Sequence, residues 1–156
     1  MIEYPANIFG AVRKYDIHTG YDLFMGHNAP VYLPFDGNVV KIGNFTGQNA
    51  EPTPSPWWND TQYVIIHHPN DGFVLYGEIS ASSDIKIGDH LPQGSLIGHI
   101  IKVLKNNKGL PTSMLHIELY DHLPEHPAIW HIGEECPTGL LDPKEFAYQF
   151  IRQTCT

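Results

Sequence analysis

The sequence predicts a mostly-β domain closed by a single C-terminal helix. Three observations carry that expectation. Fourteen glycines and thirteen prolines punctuate a chain of 156 residues. That is above the average of roughly 12% for these two residues together, and it favours short elements joined by turns. The runs between the turns are short, rich in Val, Ile, Leu and Tyr, and in places alternate with period two. Only one segment, near the C-terminus, places apolar residues at helical spacing.

Taken in order, Val31–Leu33 and Gly37–Ile42 are predicted strands around the turn Pro34-Phe35-Asp36-Gly37. Gln62–His67 and Phe73–Ile79 form a predicted hairpin across Pro69-Asn70-Asp71-Gly72. Ile85–Ile87, Ser95–Val103 and Met114–Tyr120 complete the strands. The Pro-rich stretch Glu51–Trp58 is a loop that ends in two large rings, Trp57 and Trp58. For the helix, Asp142 is the cap, Pro143 suits the first helical position and Glu145 completes a capping box. Phe146, Ala147, Phe150 and Ile151 then fall on one stripe, which is expected to pack against the outside of the β structure. Residues 1–156 are read as a single domain, with an extension over 121–156 that ends in the helix.

Composition narrows the function. The formal net charge is −8, which argues against a nucleic-acid binder that works by neutralising phosphates. Hydrophobic residues make up 42% of the chain, so it is not disordered by composition. No stretch approaches the ~18 apolar residues of a membrane span. The N-terminus Met1-Ile2-Glu3-Tyr4-Pro5 lacks the basic and apolar regions of a signal peptide. Cys136 and Cys155 form no CxxC, and both one bridge and two free thiols stay open. Histidine is the odd abundance: ten, against nine Lys and Arg together.

His18-Thr19-Gly20-Tyr21-Asp22 is an H-x-x-x-D motif. Alone it carries little, because a chain this rich in histidine produces such pairs by chance. A second one, His67 with Asp71, spans the predicted hairpin turn. The strand Met114–Tyr120 alternates: Leu115, Ile117 and Leu119 point one way, and Met114, His116, Glu118 and Tyr120 the other. A lone His among apolar neighbours is more often a satisfied core residue than a ligand. In the strand before it, Val74, Tyr76 and Glu78 share a face by the same alternation. Glu78 there is either a solvated carboxylate or a base held over a metal. His122, His126, His131 and Cys136 are spaced too irregularly to argue for a second metal. His27, His90 and His99 lie in or near turns and carry no pattern.

Order and spacing raise the signal. His18-x-Gly20-x-Asp22 is followed by Phe35-Asp36-Gly37-Asn38-Val39-Val40, then by Tyr63-Val64-Ile65-Ile66-His67-His68 and by Phe73-Val74-Leu75-Tyr76-Gly77-Glu78-Ile79. Ile85–Gly98 and Met114-Leu115-His116-Ile117-Glu118 close the series. This resembles the lysostaphin-type zinc peptidases that cut peptidoglycan, over roughly Ala11–Tyr120. The resemblance implies a compact antiparallel β-sandwich of the duplicated hybrid motif type, with a groove along one sheet. It also implies a Zn²⁺ ion held by His18, Asp22 and His116. Two imidazoles, a carboxylate and a water are the open donor set of a catalytic zinc. Gly20 allows the tight backbone that turns both His18 and Asp22 inward.

Two departures matter. The family carries a histidine two residues before the last ligand, and here that residue is Met114. It carries another after Tyr-x in the hairpin strand, and here that residue is Glu78. A thioether cannot stabilise an oxyanion, whereas a glutamate beside zinc-bound water is a competent general base. The leading expectation is therefore zinc-dependent cleavage of peptide cross-bridges in bacterial cell-wall peptidoglycan, with Glu78 as base and Tyr21, Trp57 and Trp58 walling the groove. The alternative is an inactive zinc-binding module that holds cell-wall peptide, or a partner protein, in the same groove. A carrier domain, which Ile85–Gly98 also resembles, lacks a suitably presented lysine and a histidine facing His116. The chain is expected to act as a monomer. A phage-encoded enzyme released by lysis, or a secreted protein that has lost its leader, fits a cell-wall substrate without a signal peptide.

Overall fold

Strand β5, Gly72–Ala81, organises the sheet. Its first half pairs with β8, Met114–Tyr120, over residues 73–77. Its last residues, from Ile79, pair with β7, Leu96–Ile100, instead. On its other edge it pairs with β4, Thr61–His68. The computed structural model describes residues 7–106 and 113–154. Within them β1 (Tyr21–Phe24), β2 (Pro30–Tyr32), β3 (Gly37–Thr46), β6 (His90–Leu91) and β9 (Leu140–Leu141) complete one continuous antiparallel sheet. A single helix, α1, spans Lys144–Thr154.

Both faces of the sheet are covered, which explains why the central strands read as nearly unbroken apolar runs. One face carries the larger core. It takes Tyr21 and Leu23 of β1, Val64 and Ile66 of β4, Val74 and Tyr76 of β5, and Leu115 and Ile117 of β8. Phe146, Ala147 and Phe150 of α1 pack on it. The helix starts where capping chemistry predicts, with Asp142 Oδ1 accepting the Lys144 N–H at 3.0 Å. The other face carries Tyr63, Ile65, Leu75, Tyr120 and Leu140, and it is the face that opens into a groove.

His68 is a histidine with a structural task. It is buried on the helix side, donates through Nδ1 to the Asp36 carbonyl at 3.0 Å, and accepts through Nε2 from the Tyr76 hydroxyl at 2.8 Å. Burial pushes its pKa down, so it serves as a neutral structural imidazole.

Several local expectations change. Ile85–Ile87 is not a strand; β6 forms at His90–Leu91 instead, against Gly37 and Asn38. β1 and β9 were not predicted. β1 is short, and only its pairing with β8 makes it a strand. β3 runs on to Thr46, past Ile42, because β4 pairs with it that far. Cys136 is exposed, and Cys155 lies outside the described residues. No helix among the described residues is long and apolar enough to cross a membrane.

Candidate metal and catalytic site

β1 and β8 pair in a register that sets Asp22 directly opposite His116. Both side chains point to the groove face, because their neighbours Tyr21, Leu23, Leu115 and Ile117 all point into the helix-side core. His18 arrives from a short ribbon just before β1. In it Val12 bridges Ile17, and His18 N–H donates to the Ala11 carbonyl at 2.9 Å. Gly20 is required at this corner: a Cβ there would strike the Ile117 carbonyl and lie 2.9 Å from two atoms of the His116 ring. We expect Gly20→Ala to cost about 1–3 kcal/mol, as overpacked sites do, and to displace His116. Chemical unfolding together with metal-binding titration checks both effects.

One donor atom each of His18, Asp22 and His116 falls within 4.8 Å of the other two. His18 Nε2 lies 3.1 Å from Asp22 Oδ2 and 3.3 Å from His116 Nδ1. His116 Nδ1 lies 2.7 Å from Asp22 Oδ1. A tetrahedral ion with ligands at roughly 2.0–2.1 Å keeps them about 3.3–3.4 Å apart, so this donor set fits zinc with small adjustments.

The outer nitrogens are held as well. His18 Nδ1 donates to the Ile8 carbonyl at 2.9 Å, which leaves its Nε2 lone pair facing the cluster. His116 Nε2 donates to Glu118 Oε1 at 2.9 Å, which leaves Nδ1 to face Asp22.

Glu118 is a residue of this cluster to which motif reading gave no role. Its fully buried carboxylate also accepts from Thr19 Oγ1 at 2.7 Å and from the Tyr120 hydroxyl. Burial, and then the adjacent Glu118 charge, keep the Tyr120 phenol far above its usual pKa, so it stays a donor. Ala128 N–H in turn donates to Tyr120 at 2.8 Å, tying the segment after β8 to the site. Strand alternation already put Glu118 and Tyr120 on the face of His116; their burial and partners were not visible there.

Electrostatics follow the geometry. Burial opposes a charge on Asp22, but the hydrogen bonds and charges of His116 and His18 outweigh it and hold the carboxyl well below its usual range. Burial also opposes a charge on His116, and bonds first to Asp22 and then to Glu118 outweigh it, pushing its pKa up to about 10. Without metal the site is thus an imidazolium on a carboxylate.

Glu78 overturns the alternation argument. By period two it would share the helix-side face with Val74 and Tyr76. Instead it is a bulge: β5 pairs Gly77 with Tyr63 and Ile79 with Gln62, so Glu78 is the extra residue. Its φ is +63°. It also stands where β5 leaves β8 for β7. The bulge turns its side chain to the groove face, among Asp22, His116 and Arg13. Glu78 Oε2 is buried and has no hydrogen-bond partner among the described residues. Burial, and then the Asp22 charge, push its pKa up to about 8.

The cleft over this site has a volume of about 490 Å³. Trp57, Trp58, Tyr15 and Ile129 stand on its walls, with Trp57 63% exposed. Tyr21 does not. It is 2% exposed, lies in the helix-side core and meets Tyr148 edge-on. Its position next to Asp22 in β1 forces it to the opposite face, so it is no groove wall. His122 hydrogen-bonds Asp121 and His126 the Pro127 carbonyl, and neither joins a metal-ligating group among the described residues.

Two histidines and an aspartate on the floor of an open cleft could hold a metal ion and leave a position open, as catalytic zinc sites do. The sequence profile of peptidase family M23 matches residues 16–127, and the chain belongs to that family. Its members are typically peptidoglycan hydrolases. Among solved structures the fold is similar to the catalytic domain of the antimicrobial peptidase lysostaphin from Staphylococcus simulans. That match has a TM-score of 0.59 and 18% identity, over 94% of this chain and 90% of that one. LytU is similar with a TM-score of 0.56 and 17% identity, over 95% and 84%. A mutant catalytic domain of the prophage-encoded M23 protein EnpA from Enterococcus faecalis matches with a TM-score of 0.54 and 20% identity, over 80% and 83%. At these identities the likeness is one of fold. No curated protein matches significantly.

Proposed function

We propose that this chain is a zinc-dependent endopeptidase that cuts peptide cross-bridges of bacterial peptidoglycan, acting as a single domain and a monomer. The observation that carries the reading is convergence. Donor atoms of His18, Asp22 and His116 meet at the floor of an open cleft, and the unpartnered Glu78 carboxyl is turned towards them by a strained bulge. Strain of this kind costs roughly 1–3 kcal/mol and clusters at functional sites.

His18 Nε2, His116 Nδ1 and an Asp22 oxygen would hold the ion. Bound zinc supplies Lewis acidity towards a carbonyl and towards water. The protein supplies the rest. Glu118 and the Ile8 carbonyl fix the two imidazoles, the aromatic walls confine an extended peptide, and Glu78 carries the proton. Its carboxylate takes a proton from the attacking water and returns it to the leaving nitrogen.

The test is direct. Purified protein should bind one zinc and release cross-bridge fragments from peptidoglycan, and Glu78→Ala should abolish release without loss of zinc. Zinc uptake by metal-free protein at pH 7 should liberate about two protons, since His116 must give up its Nδ1 proton and Glu78, protonated without metal, must become the carboxylate that acts as base. Calorimetry in buffers of different ionisation enthalpy counts the protons released. A protein that binds no zinc ends the reading.

The second reading, an inactive zinc module that binds cell-wall peptide or a partner protein, is favoured by one observation: Met114 offers no donor to a reacting carbonyl. Zinc bound with no turnover, and peptide retained in the cleft, would select it.

A further inference from the structure

Hydrolysis of an amide puts negative charge on the former carbonyl oxygen, and a donor fixed beside that oxygen is worth about 10²–10³ in rate. Few groups at this site can be that donor. The Thr19 and Tyr120 hydroxyls both donate to Glu118, below the cluster. Met114 has no polar hydrogen. Arg13 remains. It is the only Arg or Lys among the described residues that line the cleft.

Arg13 Nη2 donates to Asp22 Oδ2 at 3.1 Å, and the Arg13 side chain is 37% exposed where that of Asp22 is 4% exposed. The guanidinium thus reaches from a buried candidate ligand to the open cleft. It is also well placed by its backbone. Arg13 N–H donates to the Asp16 carbonyl at 2.8 Å, closing the turn of the ribbon that delivers His18. Ile17 N–H on the same ribbon donates to the Trp130 carbonyl at 2.8 Å, and Asp16 bridges His131 across the cleft wall. The loop that fixes His18 therefore fixes Arg13 too. A guanidinium stays charged at every working pH and offers planar, paired donors. Its charge is also felt at Glu78, whose carboxyl it draws towards ionisation against the effect of burial.

We infer that Arg13 is the oxyanion-binding group of this site, donating to the oxygen of the tetrahedral species formed from a backbone carbonyl beside Asp22. The inference rests on the peptidase reading above. Water oxygen adds to the carbonyl carbon, the C–N bond breaks, and Glu78 transfers the proton to nitrogen. Arg13 changes no protonation state in that sequence.

The experiment uses the zinc-loaded chain and two glycine tetrapeptide analogues, so that side-chain preference does not enter. One carries a phosphinic group, a tetrahedral anion, at the central bond. The other carries a planar, neutral alkene there. Calorimetry should show Arg13→Ala weakening the phosphinic peptide by about 10²-fold or more, with the alkene changed less than about threefold. Arg13→Lys should recover part of the loss. Zinc content and melting temperature should be unchanged in both variants. Phosphinic affinity equal to wild type in Arg13→Ala, or no phosphinic binding by wild type, overturns the inference. So does loss of zinc in Arg13→Ala, which would make Arg13 only a holder of Asp22. A gain in zinc affinity overturns it too, because the guanidinium would then be a competitor of the metal. Wild type that shows the Arg13 dependence yet cleaves no peptidoglycan peptide rejects the peptidase reading instead, and leaves the anion-binding role standing.

Discussion

Glu78→Gln is expected to lower kcat by about 10²–10⁴, the usual worth of a positioned proton carrier, and at the same time to stabilise the metal-free protein above pH 5. The carboxyl titrates near its ordinary 4.5 when unfolded and at about 8 when folded. Between those values the folded state holds a proton that the unfolded state has lost. Stability from this group is therefore fully present below about pH 4.5 and drains away as pH rises through about 8. His116 adds a loss of the same sign, but only from 6.5 up to about 10, since its folded pKa is raised as well. His68, whose folded pKa is pushed down by burial, adds a gain of opposite sign as pH rises towards 6.5. It does so in wild type and variant alike, so between about 4.5 and 6.5 the difference between the two proteins isolates Glu78. Each pH unit there is worth about 1.4 kcal/mol, so in chelator wild type should lose about 2 kcal/mol relative to the glutamine variant from pH 5 to 6.5. Denaturant unfolding at several pH values decides it, and equal slopes in the two proteins would remove Glu78 from the buried position argued for it.

The second large effect belongs to a residue that touches no proposed ligand atom. Glu118→Gln is expected to weaken zinc binding about 10–100-fold, as loss of a group that orients a metal-bound histidine does. It should also cost about 1–3 kcal/mol of stability. The carboxylate accepts from His116 Nε2, Thr19 and Tyr120 at once. An amide places an N–H₂ among three donors, so at least one is left buried without an acceptor. His116 then loses what holds its Nδ1 towards Asp22. A competition titration with a chromophoric chelator measures the affinity, and an unchanged value would reduce Glu118 to packing. Glu118→Ala should cost more, because it adds a cavity under the His116 ring.

Much of this site was legible before any coordinates. The family resemblance carried by the ordered motifs implied His18, Asp22 and His116 as ligands, and donor atoms of the three do come within reach of one ion. The capped helix was legible because Asp142, Pro143 and the apolar stripe are local signals that need no distant partner. The β class was legible from turn residues and short apolar runs. Tyr21, by contrast, was assigned to the groove although the same period-two rule that aims Asp22 at the cluster sends its neighbour into the core. That error was avoidable once β1 was recognised as a strand, but four residues beside a motif carry no strand signal of their own.

Motif order was enough to point to the family and, through that resemblance, to a candidate donor set, because order and residue type are written along the chain. Tertiary structure decided what surrounds the donors. It set Glu78 on the groove face, since a strand that exchanges one partner for another absorbs an extra residue at the exchange, and no periodicity announces where that falls. It also gave Glu118 three donors and brought Arg13 to Asp22. Of those contacts, Arg13 to Asp22 and Thr19 to Glu118 join residues 9 and 99 positions apart, and only the packed sheet brings them together.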